Sequence, residues 1–352
     1  MKKLTKLIIA VAVLLLLCVG GLVFYVSTIL SPMSSQDEIV DFTIENGQGS
    51  KQVITNLQDE GIIHESPLSY YYMRLFHKVD FVAGNFEVNK AWSFNEIVDH
   101  LSKQENVLYD TVSITFYEGE WLKSYAHKIE ANTNVSSEEL LNLWHDEDYV
   151  RSLMNDYPFL SEEMFNEDVR FYLEGYLFPD TYEFYRETTA EDVTKTFLDH
   201  TLSFYNEHLD EFENSSLSTH EIFTLASIVQ FEGNSEESMK LIAGVFLNRI
   251  AIGMDLQSSA TVCYALDLDD DDNWLECEYN ANYDSPYNTY VNPGLTPGPI
   301  LNPGAVALEA VLAPTESDYL YFMANICGDG EIYYSETYAE HEANVARYLT
   351  CY

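Results

Sequence analysis

Residues 218–233 read STHEIFTLASIVQFEG, a stretch that predicts one long helix. Ser218, followed three residues later by Glu221, forms the capping box that begins such a helix. Gly233 is a typical residue for the end of a helix. These two signals define the helix, and they place Glu232 at its last position.

Glu232 shares a face of this helix with Val229, Ile228 and Leu225, which precede it at helical spacing. The pattern predicts that the Glu232 carboxyl group points into apolar surroundings. Burial and the negative end of the helix dipole both disfavour ionisation, so we expect a raised pKa for Glu232. A carboxyl that keeps its proton near neutral pH can act as a general acid. The alternative is a glutamate that simply ends its helix and turns to water.

A proton donor of this kind is suited to the cleavage of a glycosidic bond. If the cleavage is hydrolytic, the usual mechanism requires a second carboxylate nearby. Spacing favours none of the four candidates, which are Glu174, Asp180, Asp255 and Asp284. Side chains suited to sugar binding follow the helix, namely Gln257, Ser258, Thr261, Tyr287, Asn288, Thr289 and Tyr290. The chain has 26 tyrosines, so most of them must serve packing or the surface.

The N-terminus carries a long apolar segment. Residues 7–30 contain no charged residue, and at about 1.5 Å rise per residue they can cross a hydrocarbon core of about 30 Å. Three lysines precede the segment and acidic residues follow it, which predicts a cytoplasmic N-terminus and an extracytoplasmic remainder. A cleaved signal peptide is the alternative, but its apolar core is usually only about 7–15 residues long. We therefore predict a cytoplasmic tail over 1–6, a single membrane-spanning helix over 7–30 and a stalk over 31–40.

The composition excludes one class of partner. The chain has 17 basic and 58 acidic residues, a formal net charge of −41, and so has little with which to neutralise nucleic-acid phosphates or anionic membrane surfaces. Apolar residues make up 47%, which permits a packed core. Four cysteines lie outside the apolar segment, namely Cys263, Cys277, Cys327 and Cys351. They allow two disulfides with three possible pairings, or free buried thiols.

The rest of the pattern predicts an α+β protein. Residues 41–105 have the size of a small βααβ unit, with a helix begun by Ser50, another opened by Ser66-Pro67, a strand at 86–88 and a capping box of Ser93 and Glu96. Residues 111–116 alternate as a half-buried strand should, and a helical connecting region follows over 117–170. Residues 173–182 are predicted to form a loop rather than a core element. A second long helix is expected from Asn234, capped with Glu237, to Gly253, and a last helix over 336–349.

Several motifs, in order, resemble the MltG (YceG-like) endolytic peptidoglycan transglycosylases. Residues 225–232, LASIVQFE, are similar to the family's stretch around its catalytic glutamate, and 173–182, LEGYLFPDTY, resemble another family segment. Further matches follow at 245–250, 256–258, 287–290 and 294–300. The resemblance implies a membrane anchor, a LysM-like subdomain over 41–105 and a catalytic domain over 106–352.

The resemblance also implies an activity. It is non-hydrolytic cleavage of the MurNAc–GlcNAc β-1,4 bond in nascent peptidoglycan, with Glu232 first donating a proton and then accepting one from the MurNAc C6 hydroxyl. The product would carry a 1,6-anhydroMurNAc end, and no cofactor or metal would be needed. The residues expected to bind the sugar are Gln257, Ser258, Tyr287, Asn288 and Tyr290. Glu174 is expected to support Glu232 without contacting the sugar. Cell-wall synthases or other division or elongation proteins are the expected partners, with termination of glycan elongation as a possible outcome.

Many family members have a second glutamate where this chain has Gln230, which leaves open a catalytically weak or inactive peptidoglycan-binding scaffold. A hydrolase of the same bond is a separate alternative. Helix geometry predicts that Gln230 points away from the face of Leu225, Ile228 and Val229, so the catalytic role is assigned to Glu232. The run Asp269 to Asp272 could hold Ca²⁺ or form a solvated loop.

Overall fold

The computed structural model of the chain describes residues 2–77, 79–268, 274–328 and 330–349. The chain forms two compact units, Met1–Asp110 and Thr111–Tyr352. Each unit has its own hydrophobic core. The functional site described below lies within the second unit.

The first unit begins with one long helix, α1 (Lys2–Leu30). Within it, Ile9–Leu30 is long and apolar enough to cross a membrane. The chain continues through β1 (Ile39–Ile44), α2 (Ser50–Asp59), α3 (Ser69–Phe76), β2 (Gly84–Asn89) and α4 (Phe94–Leu101). The two strands pair antiparallel, with Phe42 opposite Phe86 in the core. This order is the expected βααβ arrangement with one further helix.

Two helix starts in this unit test the predicted capping. The Ser93–Glu96 capping box at α4 is confirmed, with both reciprocal hydrogen bonds formed. At α2 the prediction was wrong by one residue, because Gly49 is the N-cap and Ser50 already lies inside the helix. Gly49 allows the chain to enter the helix without a side-chain cap.

The second unit is mainly helical. It contains β3 (Thr111–Thr115), α5 (Leu122–Asn132), α6 (Ser137–Trp144), α7 (Glu147–Leu153), β4 (Thr181–Tyr185), α8 (Ala190–Glu207), α9 (Leu209–Asn214), α10 (Thr219–Glu232), α11 (Glu236–Ile252), α12 (Ser259–Leu266), α13 (Trp274–Tyr279), α14 (Ala305–Leu312), β5 (Tyr321–Ala324), β6 (Ile332–Ser335) and α15 (Tyr338–Tyr348). The strands form two antiparallel pairs, β3 with β4 and β5 with β6. The last helix begins at Tyr338, two residues later than the predicted start at 336, after a capping box of Thr337 and Glu340.

Helix α10 is the central element of this unit. The Ser218–Glu221 capping box and the end at Gly233 are confirmed. Every residue from Ile222 to Val229 is buried, because α11, α12 and α14 pack around the helix. The expectation of a single apolar face was therefore too narrow, since residues 222–229 are buried on every side of the helix.

The turn between α10 and α11 is tight. A Cβ on Gly233 would lie 2.4 Å from the Met239 side chain, so only glycine fits there. The predicted cap of α11 was wrong by one residue. Ser235 and Ser238 form the capping box, rather than Asn234 and Glu237, and the helix ends at Gly253 as predicted.

Residues 173–182 depart from the prediction of an outer loop. Leu173, Glu174, Tyr176 and Leu177 are all buried, and Thr181 already begins β4. The turn depends on Gly175, which has a φ of +83°, and a Cβ there would lie 2.3 Å from Pro299. The segment is thus irregular in backbone but part of the core, and its glycine and aromatic residues pack inward.

One disulfide joins Cys263 of α12 to Cys277 of α13, and Cys327 is also disulfide-bonded. Cys263, Cys277 and Cys327 are therefore disulfide-bonded rather than free thiols. Cys351 and the Asp269–Asp272 run lie outside the described residues.

Candidate active site

Glu232 ends α10 at the wall of a cavity of about 1120 Å³. Its side chain is partly buried, so the carboxyl group faces the cavity rather than bulk solvent. Desolvation by burial raises the pKa of Glu232 above its ordinary value, and the nearby negative charge of Glu278 raises it further. The predicted direction of the pKa shift is confirmed.

Two groups act against this shift. The Ser258 hydroxyl donates a hydrogen bond of 2.6 Å to Glu232 Oε1, and the positive charge of Arg249 also lowers the pKa of Glu232. Burial remains the largest of the influences. Glu232 is therefore held in a setting that favours the protonated acid while still supporting the carboxylate.

A buried polar network fixes Ser258. Its backbone N–H donates to Thr289 Oγ1 at 3.1 Å, and its carbonyl accepts from the Thr261 hydroxyl at 2.7 Å. The Thr261 and Thr289 hydroxyls lie 2.9 Å apart. Because these three side chains are fully buried or nearly so, the Ser258 hydroxyl is aimed at Glu232 by a rigid support.

Arg249 holds a second part of the wall. Its guanidinium Nε donates to the Leu320 carbonyl at 2.6 Å, just before β5, and Nη1 donates to the Leu256 carbonyl. Leu256 is two residues before Ser258. Arg249 thus connects α11 to the turn that supplies Ser258 and to the C-terminal hairpin.

The cavity is lined by two chemically different groups of residues. One group is polar and acidic and includes Glu118, Glu120, Gln230 and Glu278. The other is apolar, lies in the C-terminal part of the chain and includes Phe322, Met323, Ile326 and Ile332. A groove with both polar groups and apolar or aromatic surfaces can bind the two faces of a sugar chain.

The structure brings three of the five predicted sugar-binding residues to Glu232 or its cavity. Gln257 and Tyr290 line the cavity, and Ser258 binds Glu232 directly. Gln257 has a positive φ of +52°, a constrained conformation for a residue with a side chain. Burial raises the pKa of Tyr290, so its hydroxyl stays protonated and can donate a hydrogen bond.

Tyr287 and Asn288 have a different environment. The Asn288 side chain is fully buried, and its amide donates to the carbonyls of Ala281 at 3.0 Å and Tyr283 at 2.7 Å. The Tyr287 hydroxyl accepts from the Arg170 N–H at 3.2 Å. These side chains shape the loop that presents Tyr290, since Asn288 Oδ1 also accepts from the Tyr290 N–H.

Glu174 is buried within the core. Its carboxyl accepts a hydrogen bond from the Leu122 N–H at 2.8 Å and another from the Tyr264 hydroxyl at 3.3 Å. Desolvation raises the pKa of Glu174 to about 8. Glu174 therefore binds the first residue of α5, next to Trp121, which lines the cavity.

Comparison with known proteins agrees with this architecture. The model of the YceG-like family matches residues 42–347. The chain belongs to the YceG-like family.

The relatives of this YceG-like chain have a common name. An endolytic murein transglycosylase of Bacillus subtilis (strain 168) is 31% identical over 337 residues, covering 95% of this chain and 92% of the relative. One from Streptococcus pneumoniae (strain ATCC BAA-255 / R6) is 31% identical over 362 residues, covering 96% of this chain but only 64% of the relative. A crystal structure of a yceG-like protein from Listeria monocytogenes matches with a TM-score of 0.61 and 32% identity, covering 88% of this chain and 99% of the other.

Sequence reasoning missed three carboxylates of the YceG-like cavity. Glu118 and Glu120 follow the predicted strand at 111–116, where a chain leaving a sheet edge often carries functional groups, and this position was an available signal. Glu120 is paired with Lys128 at 2.6 Å. Glu278 directly follows Cys277, whose disulfide to Cys263 joins α13 to α12, and it lines the cavity.

The position of Gln230 also differs from the prediction. Although it was expected to point away from the catalytic face, it lines the same cavity as Glu232. Its side-chain carbonyl accepts a hydrogen bond of 2.9 Å from the Gly304 N–H, at the start of α14. Gln230 thus holds the wall of the cavity in place through a contact that needs an acceptor oxygen.

Proposed function

We propose that this chain is an endolytic murein transglycosylase that cuts MurNAc–GlcNAc β-1,4 bonds in nascent peptidoglycan. The observation that carries the proposal is the setting of Glu232, a carboxyl group at the wall of a large cavity with a raised pKa and one hydroxyl donor. Membership of the YceG-like family and the similarity to two endolytic murein transglycosylases support the same activity.

The proposed reaction has two proton transfers through one residue. Protonated Glu232 donates its proton to the glycosidic oxygen as the bond between that oxygen and MurNAc C1 breaks. The MurNAc C6 hydroxyl oxygen then bonds to C1, and its proton passes to the Glu232 carboxylate. The products are a GlcNAc hydroxyl end and a 1,6-anhydroMurNAc end, and Glu232 returns to its starting form.

The neighbours of Glu232 support both halves of this cycle. Burial favours the proton donor at the start, and the Ser258 hydroxyl and the Arg249 charge stabilise the carboxylate formed in the middle. Gln257 and Tyr290 are proposed to contact the sugar directly. We propose that Tyr287, Asn288 and Glu174 act by positioning the wall of the cavity.

A Glu232→Gln variant assayed on purified glycan strands tests the proposal. Glutamine keeps the size of the side chain but cannot donate and recover the proton, so we expect a loss of cleavage of at least a thousandfold. Equal cleavage by the variant and the parent would remove Glu232 as the proton donor, whereas no cleavage by either would favour the peptidoglycan-binding scaffold. Glu118→Gln is the matched control, because Glu118 is an exposed carboxylate that lines the same cavity, and this variant should stay active.

A hydrolase of the same bond is the second candidate, because Glu278 lies close enough to Glu232 to affect its pKa. Such an enzyme would use a second carboxylate to activate water. Mass analysis of the products separates the two reactions, since an anhydro end is one water lighter than a reducing end. Only reducing ends, together with loss of activity in Glu278→Gln, would establish the hydrolase instead.

The location of the activity is part of the proposal. We propose that α1 inserts as a single-pass anchor in the cytoplasmic membrane, with its N-terminus inside and both remaining parts of the chain outside. Residues 41–105 are proposed to act as a LysM-like glycan-binding subdomain. Cleavage would then occur beside the cell-wall synthases, where it could end strand elongation.

A further inference from the structure

One face of α3 in the first unit is apolar and exposed. Leu68, Tyr71 and Leu75 recur at helical spacing, and Phe76 lies beside them. Tyr71, Leu75 and Phe76 are 64%, 65% and 65% exposed, whereas Met73 on the other side is fully buried. Large apolar side chains clustered in this way on a short helix favour a partner surface.

The end of α1 lies beside this helix. The Tyr25 hydroxyl is 3.0 Å from the Ser66 hydroxyl, and Ile29 is buried in the core of the same unit. The Ser31 hydroxyl is 3.2 Å from His64 Nε2. Tyr25 precedes the last residue of α1, Leu30, by five residues, or about 7.5 Å along the helix. If α1 spans the membrane, these contacts hold the start of α3 at the depth where the apolar core meets the headgroups.

The charge of the segment fits an anionic lipid surface. Residues 66–79 contain no aspartate or glutamate, although the chain has 58 of them, and they include Arg74 and Lys78. Glu65 and Asp80 flank this segment, Arg74 lies 4.0 Å from Asp80, and His77 lies 3.2 Å from Asp99. The strong negative charge of the whole chain would repel such a surface, so this segment differs locally from the rest.

We infer that the face formed by Leu68, Tyr71, Leu75 and Phe76 lies on the outer surface of the membrane and is a second lipid contact of the first unit. Tyrosine and phenylalanine are suited to this depth, since their rings lie among acyl chains and headgroups. The contact would fix the orientation of the first unit on the bilayer. The inference rests on the membrane anchoring proposed above.

Spin-label depth measurements on the full-length chain test this contact. Single nitroxides are placed at Leu75→Cys, Lys51→Cys and Leu16→Cys in a Cys18→Ser background, in nanodiscs of phosphatidylcholine and phosphatidylglycerol. Lys51 is exposed in the first turn of α2, and Leu16 lies in the middle of α1. We expect the ratio of oxygen to nickel-chelate accessibility at 75 to exceed that at 51 at least threefold, and to approach that at 16.

The controls separate this inference from the other proposals. A water-like label at 75 with a bilayer-buried label at 16 would overturn the lipid contact and leave the anchor in place. A water-like label at 16 would overturn both. Adding Leu75→Glu to a label at Phe76→Cys should move the label at 76 into water, whereas Lys51→Glu should not.

Discussion

The Ser258 hydroxyl offers the sharpest test of how Glu232 works. It donates a hydrogen bond to Glu232 Oε1 at 2.6 Å, whereas the other hydrogen bonds of Ser258 are made by its backbone. Ser258 is also the N-cap of α12, but its side chain makes no capping bond. Alanine at this position therefore removes the contact to Glu232 and leaves the support of Thr261 and Thr289 intact.

The magnitude follows from the strength of a hydrogen bond to a charged group. Such bonds contribute about 1.5–3 kcal/mol, and because Glu232 is only partly buried we take the lower figure, about 1.5 kcal/mol. Ser258 lowers the pKa of Glu232, so Ser258→Ala should raise that pKa.

The sign of the effect on activity can be worked out. Glu232 must be protonated in the free enzyme, so kcat/KM falls as the pH rises through its pKa. A higher pKa moves this descending limb to higher pH. The plateau should fall about tenfold, because the carboxylate formed in the transition state has lost about 1.5 kcal/mol of stabilisation.

The assay is the pH dependence of kcat/KM for release of anhydro-ended fragments from purified glycan strands. Ser259→Ala is the matched control, since Ser259 is the neighbouring serine and lines the same cavity. An unchanged descending limb in Ser258→Ala, or an equal shift in Ser259→Ala, would refute the reasoning. A fall in the plateau without a shift would mean that Ser258 acts only through position.

Two further predictions concern stability. Burial raises the folded-state pKa of Glu174 to about 8, above its unfolded value, so the folded chain binds an extra proton between the two pKa values. The parent should therefore lose stability relative to Glu174→Gln as the pH rises from 5 to 8. The difference should be on the order of 4 kcal/mol, measured by denaturant unfolding of both proteins at the two pH values. Gly175→Ala should lower the free energy of unfolding by at least about 3 kcal/mol, since a Cβ there meets Pro299 at 2.3 Å in a left-handed backbone. Gly253 is also left-handed but has no atom within 4 Å of an added Cβ, so Gly253→Ala should lower the free energy of unfolding by only about 1–2 kcal/mol. Equal losses in the two glycine variants would show that the contact with Pro299 contributes nothing.

Local signals in the sequence predicted local structure well. The capping boxes at Ser93 and Ser218 depend on residues three positions apart, and both formed as expected. The caps predicted at Ser50 and Asn234 were one residue off, because a serine or glycine beside the expected position could serve equally well. Neighbouring residues that can all cap a helix leave its first residue undetermined.

Long-range contacts were the part that the sequence could not supply. Glu174 was expected to support Glu232, but its partners are Leu122 and Tyr264, which are 52 and 90 residues away along the chain. Asn288 has the chemistry of a sugar ligand, yet its amide is used by two carbonyls of the preceding turn. A side chain that can bind sugar or backbone gives the same sequence signal in both cases.

A single residue that first gives up a proton and later takes one back needs a pKa that is neither too low nor too high. Burial alone would make Glu232 a poor base after the first step, because the carboxylate would be too costly to form. Ser258 and Arg249 alone would make it a poor acid, because the proton would already be lost at neutral pH. The structure combines the two opposing influences on one carboxyl, with burial the larger. The balance requires α10 to end inside the cavity, which the tight turn at Gly233 makes possible.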